Sequence, residues 1–510
     1  MSPRQNNRTL QRRTLYRHPL AALGGALMVA GAIAFVILVG FDITSSTDNP
    51  YRSLVTFVAV PAVVTLGFVL FMLAVWLQVR QARKRGERVR FSLSIVPTDP
   101  HYMRNLWLFL GFSVVLVAVI AFSGTEAYDA TDSVAFCGET CHTVMHPQSV
   151  TYHNSPHARV ECAACHIGPG ASFWVKSKIS GTRQIFAALF NTYSRPIQTP
   201  ISNLRPAQQT CEKCHWPRQF YGEKLVAKTF YRTDEKNSPW TINLLMKIGG
   251  GNPRTGAQEG IHWHMLIDNK IEYIATDRKR DDIVWVRRIS MEGDTVVYTD
   301  PDADSIPDPN DPNVEVRRFD CMDCHNRPSH NFEPPATSLN LALSTRDISP
   351  ELPYVRKEGL KLLNAEYATR PEAHKAIQDG LIGYYRDKYP DLVDSLSGMI
   401  KQATATLLRI YDNNFFPAMK TDYRARQNDL SHFVNDGCFR CHDGQMTSKD
   451  GKVIGHDCRT CHLIVAQGPS EHLDSLEQNI AGLDFHHPED IGGAWQEMKC
   501  TECHDPESGY

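Results

Sequence analysis

The sequence predicts a membrane-anchored chain: three apolar transmembrane helices, then a mostly α-helical and irregular extramembrane domain with one small β-rich insert. Three observations predict it. Uncharged apolar runs begin at Leu20, Leu54 and Leu106; the cysteines fall in pairs, each pair closed by a histidine; and strand-like alternation is confined to residues 225–300. The average composition conceals all three. The 510 residues are 42% hydrophobic and 22% charged with net charge −2, a balance that excludes a disordered tail and a polybasic nucleic-acid binder.

The first run, Leu20 to Phe41, carries no charge and is long enough as a helix to cross about 30 Å of hydrocarbon. It exceeds the apolar core of a secretory signal and no A-x-A site follows it, so it reads as an anchor. Residues 54–77 and 106–122 are the second and third runs, the last near the lower length limit. Arg4, Arg8, Arg12, Arg13 and Arg17 precede the first run, and Arg80, Arg83, Lys84, Arg85, Arg88, Arg90 and Arg104 lie in the loop 78–105. The excess of positive charge on cytoplasmic loops places residues 1–19 and 78–105 inside and everything after Phe122 outside.

The cysteine pairs are the chemistry. In chain order they are Cys137/Cys141 before His142, Cys162/Cys165 before His166, Cys211/Cys214 before His215, Cys321/Cys324 before His325, Cys438/Cys441 before His442, Cys458/Cys461 before His462, and Cys500/Cys503 before His504. Six are C-x-x-C-H and the first is C-x-x-x-C-H. Each pair can form two thioethers to one haem while the adjacent histidine reaches the iron. Zinc ribbons and disulfides need no histidine after every pair. The fold class is therefore a membrane-anchored multihaem cytochrome c carrying seven c-type haems. Attached haem belongs on the oxidising side of a bacterial inner membrane, where free thiols otherwise form disulfides, so the haem domain is expected in the periplasm.

A sixth ligand decides whether an iron only transfers electrons or also binds a substrate. The distal candidates are His157, His262, His264, His330, His456, and His486 or His487; His432, His472, His146, His153 and His374 rank below them. Alternation in IHWHMLI places His262 and His264 on one face of a strand, within reach of a haem together or singly. At the first motif the extra residue changes the local turn, and Met145 either ligates that iron or fills core space. Cys137 follows Phe122 so closely that the first haem must sit near the membrane surface. Residues 123–220 form the module with the first three motifs, 221–320 the β-rich insert, and 321–510 a module with four motifs and a helical segment at 350–436.

The stretches CGETCHTVMHP and SPHARVECAACHIGPGASFWVKSKISG, following an anchor helix, resemble the NapC/NirT family of membrane-anchored multihaem quinol dehydrogenases over about residues 106–220. The resemblance implies oxidation of menaquinol at the first haem, onward transfer to periplasmic c-type cytochromes, and a quinol pocket holding a lysine that matches Lys176 or Lys178. The departures are specific: three spans, a first motif with one extra residue and methionine one place further on, and no acid about seven residues beyond the lysine, where Arg183 and Ile185 stand. Glu126, Asp129, Asp132 and Glu139 are the carboxylates near the interface that can substitute. Lys176 and Lys178 also suit contact with lipid headgroups.

Two rival functions stay open: a terminal reductase of a small oxyanion or nitrogen oxide, and a passive conduit fed by another membrane protein. Asp300, Asp302, Asp304 and Asp308, with Asp311, have the spacing of a calcium loop but lack its central glycine, and a solvated acidic loop is the alternative.

Overall fold

A computed structural model describes residues 10–13, 18–44, 60–85, 88–91, 100–140, 142–168, 171–201, 205–216, 220, 222–249, 260–265, 269–475, 481–496 and 498–504. The chain divides into two compact units, 1–137 with 162–183, and 138–161 with 184–510.

The first unit is built on three long helices, α1 (Pro19–Thr44), α2 (Val60–Lys84) and α3 (Pro100–Asp132). α1 and α2 touch through glycine. A Cβ on Gly24 would lie 2.6 Å from the Gly67 carbonyl oxygen, and one on Gly67 2.8 Å from that of Gly24; Ala21, Ala26, Ala30 and Ala74 are buried. Small residues permit this approach and supply the packing that holds apolar helices together where no hydrophobic effect acts between them. Val36, Ile37, Phe68, Val69 and Trp76 are exposed, an apolar surface suited to lipid. Strands β1 (Leu10–Arg13) and β2 (Arg88–Phe91) pair in parallel, bringing Arg12, Arg13, Arg88 and Arg90 together as a two-helix hairpin requires. Gly24→Leu is expected to cost about 3 kcal/mol through overpacking, read as a lowered midpoint of detergent unfolding.

Two helices, not the three expected, have the length and composition to cross a bilayer among the described residues: Pro19–Leu38 and Val60–Lys84. Residues 54–59 of the second expected run lie outside the described residues. The third run, 106–122, sits inside α3, where the apolar stretch among the described residues is Trp107–Leu116. Arg104 on one side and Glu126 and Asp129 on the other confine it.

Four shorter helices carry the chain through the first three cysteine motifs: α4 (His142–His153), α5 (Cys162–His166), α6 (Ala171–Leu189) and α7 (Ala207–Thr210). In the second unit the core is helical. α8 (Pro335–Ser344), α9 (Val355–Asn364), α10 (Arg370–Lys388) and α11 (Val393–Asn414) enclose Leu339, Leu343, Leu363, Ile377, Leu381, Tyr385 and Leu407, all buried. Thr369 caps α10 by accepting from the Glu372 N–H at 3.3 Å, and Pro at its second position fits a helix start.

The strands of 221–320 do not close on themselves. β3 (Lys224–Tyr231) and β4 (Pro239–Met246) form one four-stranded sheet with β10 (His462–Pro469) and β11 (Asp474–Ser475). β5 (Asn269–Ala275), β6 (Ile283–Ser290) and β7 (Thr295–Thr299) form a second with β8 (Arg317–Arg318) and β9 (Thr447–Ser448). Each sheet thus ties the insert to a late cysteine motif. His462 itself begins β10, opposite Met246.

Residues 261–265 are a 3-10 turn rather than a strand. At three residues per turn, positions two apart point in different directions, so His262 and His264 do not share a face.

Candidate functional site

The cysteine motifs fold by a common local rule. Cys211–Lys213, Cys321–Asp323, Gly437–Arg440, Cys458–Thr460 and Cys500–Glu502 are 3-10 turns, whose side chains at i and i+3 eclipse, so both thiols of C-x-x-C stand on one face. The histidine N–H then donates to the first cysteine's carbonyl, at 2.8 Å for His215, His325 and His504 and 3.0 Å for His442. Asp320 and Asp457 cap two of these turns, accepting from the Met322 and Arg459 N–H groups. The second motif, Cys162–His166, is one α-helical turn. The first occupies a π-helical turn, Phe136–Thr140, which is how the additional residue between Cys137 and Cys141 is accommodated; Cys141 itself lies outside the described residues.

No disulfide joins any of the thirteen described cysteines. The sequence presents them as equivalent attachment points; the structure separates them by exposure. Cys214 and Cys503, the second cysteines of the third and seventh motifs, are exposed, as is Cys458, whereas Cys165 on α5 is half-buried like the other nine. Cys214 and Cys503 are each the residue that closes a three-residue 3-10 turn, where the chain leaves the turn. Cys324 and Cys441 close their turns in the same way, but burial pushes both thiols up to about 12. Enclosure of the second thiol is therefore set by tertiary packing, which the motif spacing does not encode.

No three His, Cys, Asp or Glu side chains cluster to hold a metal ion among the described residues, Asp300, Asp302, Asp304 and Asp308 included. The acidic loop instead folds on itself: Asp300 accepts from the Asp302 N–H and Asp308 from the Asn310 N–H.

Among the described residues, five motif histidines face a second imidazole. Ring centres are separated by 6.1 Å for His157 and His215, 6.4 Å for His262 and His325, 5.8 Å for His264 and His442, 6.2 Å for His432 and His462, and 5.8 Å for His487 and His504. A cavity of about 250 Å³ opens beside the sixth motif, lined by His456, Cys458, His462, Ile464, Leu483, Phe485 and Trp495. Paired thiols on one face, an imidazole behind them and a second imidazole opposite form a donor set that fits covalent haem.

Several of these histidines are oriented by backbone. Nδ1 donates to the Pro328 carbonyl in His157 (3.0 Å), to Ile248 in His262 (2.6 Å), to Ile261 in His264 (2.9 Å), to Gln148 in His330 (3.1 Å) and to Gly455 in His442 (2.9 Å). Such a bond puts the ring proton on Nδ1, the tautomer whose Nε2 can bind a metal. Burial lowers the pKa of His264, with neighbouring His442 adding to the effect, and takes His432 down to about 4, helped by His462.

Sequence reasoning ranked His456 above His432, yet His432 faces His462 while the His456 ring lies 5.6 Å from Phe439. Within the pair 486/487 it is His487 that faces His504, and His486 is exposed. Met145 is half-buried in α4.

At the end of α3, Lys178 Nζ donates to Asp132 Oδ1 at 2.8 Å and to Thr131 Oγ1 at 3.0 Å. Lys178 sits on α6. Its side chain is 31% exposed and that of Asp132 12%, so the pair is reachable but sheltered. Cys137 lies one turn beyond, its N–H donating to the Ser133 carbonyl. Its thiol hydrogen-bonds that of Cys162, which raises its pKa, burial adding to this. Lys176 is exposed with Nζ 5.6 Å from the Phe173 ring centre; Glu126 and Glu139 are exposed.

A buried polar network fastens the fourth and fifth motifs. Asp323 accepts from Tyr273 Oη at 2.6 Å and Arg317 Nε at 3.0 Å, while Arg440 donates to the Asp323 carbonyl. Asp429, pushed up to about 6 by burial, exchanges hydrogen bonds with Asn326.

Comparison with known proteins matches these features. Residues 100–209 fit the model of the NapC/NirT cytochrome c family, N-terminal region. Over 489 residues the chain is 37% identical to the cytochrome c-type protein ImcH of Geobacter sulfurreducens, covering 96% of this chain and 95% of that one. No solved structure gives a significant match. The chain belongs to the NapC/NirT family of membrane-anchored multihaem c-type cytochromes.

Proposed function

We propose that this chain is an inner-membrane quinol dehydrogenase that oxidises menaquinol beside the first motif and passes electrons from motif to motif to periplasmic c-type cytochromes. The observation that carries the reading is the Lys178–Asp132 pair. It supplies from α3 the acid that is missing seven residues beyond the lysine, and it lies within the unit that also holds Cys137 and Cys162.

Menaquinol must lose two protons and two electrons. Asp132 is placed to take a proton from a quinol hydroxyl, and the Lys178 ammonium, with three donors, to hold the quinol oxygen. Haem, when bound, supplies a one-electron iron centre at each motif, so one quinol loads two of them. All seven pairs serve as attachment points in this reading, the half-buried Cys165 and the exposed Cys214 and Cys503 included. The exposed thiols, Cys458 among them, fit haems with one edge open to solvent, where a soluble cytochrome can receive electrons. The onward route is supported by hydrogen-bonded cysteines of successive motifs, Cys137 with Cys162 and Cys211 with Cys321, and by cysteines of later motifs near enough to interact electrostatically, Cys324 with Cys438, Cys438 with Cys461 and Cys458 with Cys500. Facing histidines at the later motifs favour electron transfer over substrate binding there.

The test is reduction of the purified protein by a menaquinol analogue in detergent, followed by its haem absorption. Rapid reduction that a quinone-site inhibitor blocks is the expected result. A protein that dithionite reduces but the quinol does not would overturn this reading in favour of the conduit, and a high-spin iron that binds nitrite would favour the reductase.

A further inference from the structure

We infer that His157, His262, His264, His432 and His487 are the axial partners of His215, His325, His442, His462 and His504, and that the turn Ile261–Met265 serves two neighbouring irons at once, His262 the fourth and His264 the fifth. This goes beyond the quinol reading and does not depend on it. Spectra of the resting protein test it with no quinol present.

The argument is geometric. Metal–imidazole bonds are about 2 Å, and adding the distance from each ring nitrogen to its ring centre separates two opposed rings by roughly 6 Å. All five pairs lie between 5.8 and 6.4 Å. Their interplanar angles differ widely, 72°, 3°, 89°, 20° and 37° in the same order. That combination is what axial ligation permits, because each ring can turn about the iron–nitrogen direction without changing the separation. Ring contacts elsewhere in the chain range from 4.3 to 6.5 Å, whereas all five motif pairs fall in the narrow band that two opposed ligands of one iron require.

The turn is built to hold two directions. Its Nδ1 bonds fix both tautomers, and its backbone is tied to the end of β4: the Ile261 N–H donates to the Lys247 carbonyl at 2.8 Å and the His262 N–H to that of Gly249 at 3.2 Å. Lys247 in turn donates to the Cys461 carbonyl at 2.9 Å. Arg288 lies over Trp263, 5.0 Å from its ring centre, which packs the residue between the two histidines.

Single alanine variants of the full-length holoprotein, read by optical and spin-resonance spectra of the oxidised state, decide the assignment. His432→Ala should turn one low-spin iron high-spin, reversed by added imidazole, while His456→Ala leaves the spectra unchanged. The reverse outcome overturns the sixth assignment. His262→Ala and His264→Ala should each convert one iron and the double variant two; one converted iron in the double variant would mean both serve a single haem and overturns the shared turn. The near-parallel pair at His262 predicts loss of a rhombic signal and the near-perpendicular pair at His264 loss of a strongly axial one. Should His432→Ala not mature, His432→Met keeps a ligand and should raise the potential of one haem; unchanged potentials would overturn the assignment.

Discussion

Asp132→Asn is expected to slow menaquinol-driven reduction about 100-fold while leaving dithionite reduction unchanged, because a positioned general base contributes about 10²–10⁴ to rate. Asparagine keeps the size of the side chain and an oxygen for the 2.8 Å bond from Lys178, but it cannot take a proton. Fold stability changes little, since the ion pair is partly exposed on the lysine side and such pairs contribute about 0–1 kcal/mol. Lys178→Met should bring a comparable loss by removing the donor to the quinol oxygen, with a larger share in apparent KM. Lys176→Met should change the rate less than about threefold, because Lys176 lies exposed over Phe173; so small an effect is within what a peripheral charge contributes. Stopped-flow reduction of the three variants measures this. A rate for Asp132→Asn within twofold of the parent would remove Asp132 as the base.

The cysteine motifs were legible because their geometry is local: two cysteines and a histidine within one turn declare themselves by spacing. How deeply each thiol is enclosed was not, since Cys214 and Cys441 close similar turns and only the second is walled in by distant segments. The facing histidines were hidden for the same reason, because each is contributed by another part of the chain. His157 precedes the second motif but faces the third, and His432 precedes the fifth but faces the sixth. Proximity to a motif therefore favoured His456, two residues before Cys458, over the histidine that the fold brings to His462. Lys178 and Asp132 show the same limit: 46 residues separate them, so the sequence names Asp132 only as one of four carboxylates near the interface and not as the partner of Lys178. Alternation located β5, β6 and β7, since strand periodicity is local as well. It could not show that β8 to β11 complete the sheets, which depends on pairing across the chain. It also misread IHWHM, where alternating apolar and histidine positions mimic a strand and the controlling residue is the glycine just before them.

That glycine yields the sharpest structural prediction. Gly260 has φ +107, a conformation L side chains rarely adopt, and a Cβ there would sit 2.7 Å from the Lys247 carbonyl and closer still to that of Gly249. These are the carbonyls that receive the Ile261 and His262 N–H groups, so alanine must push the turn off the end of β4. The conformational strain alone costs about 1–3 kcal/mol, and neither backbone oxygen can yield without losing its bond. Gly260→Ala is therefore expected to disturb His262 and His264 together, giving two altered irons from a change that removes no ligand. The other pairs, held by separate segments, should keep their spectra. Spin resonance of the purified variant, with the unfolding midpoint measured alongside, separates this from general destabilisation. If every haem signal weakens equally, or the spectra stay those of the parent, the turn does not hold its histidines in the way described.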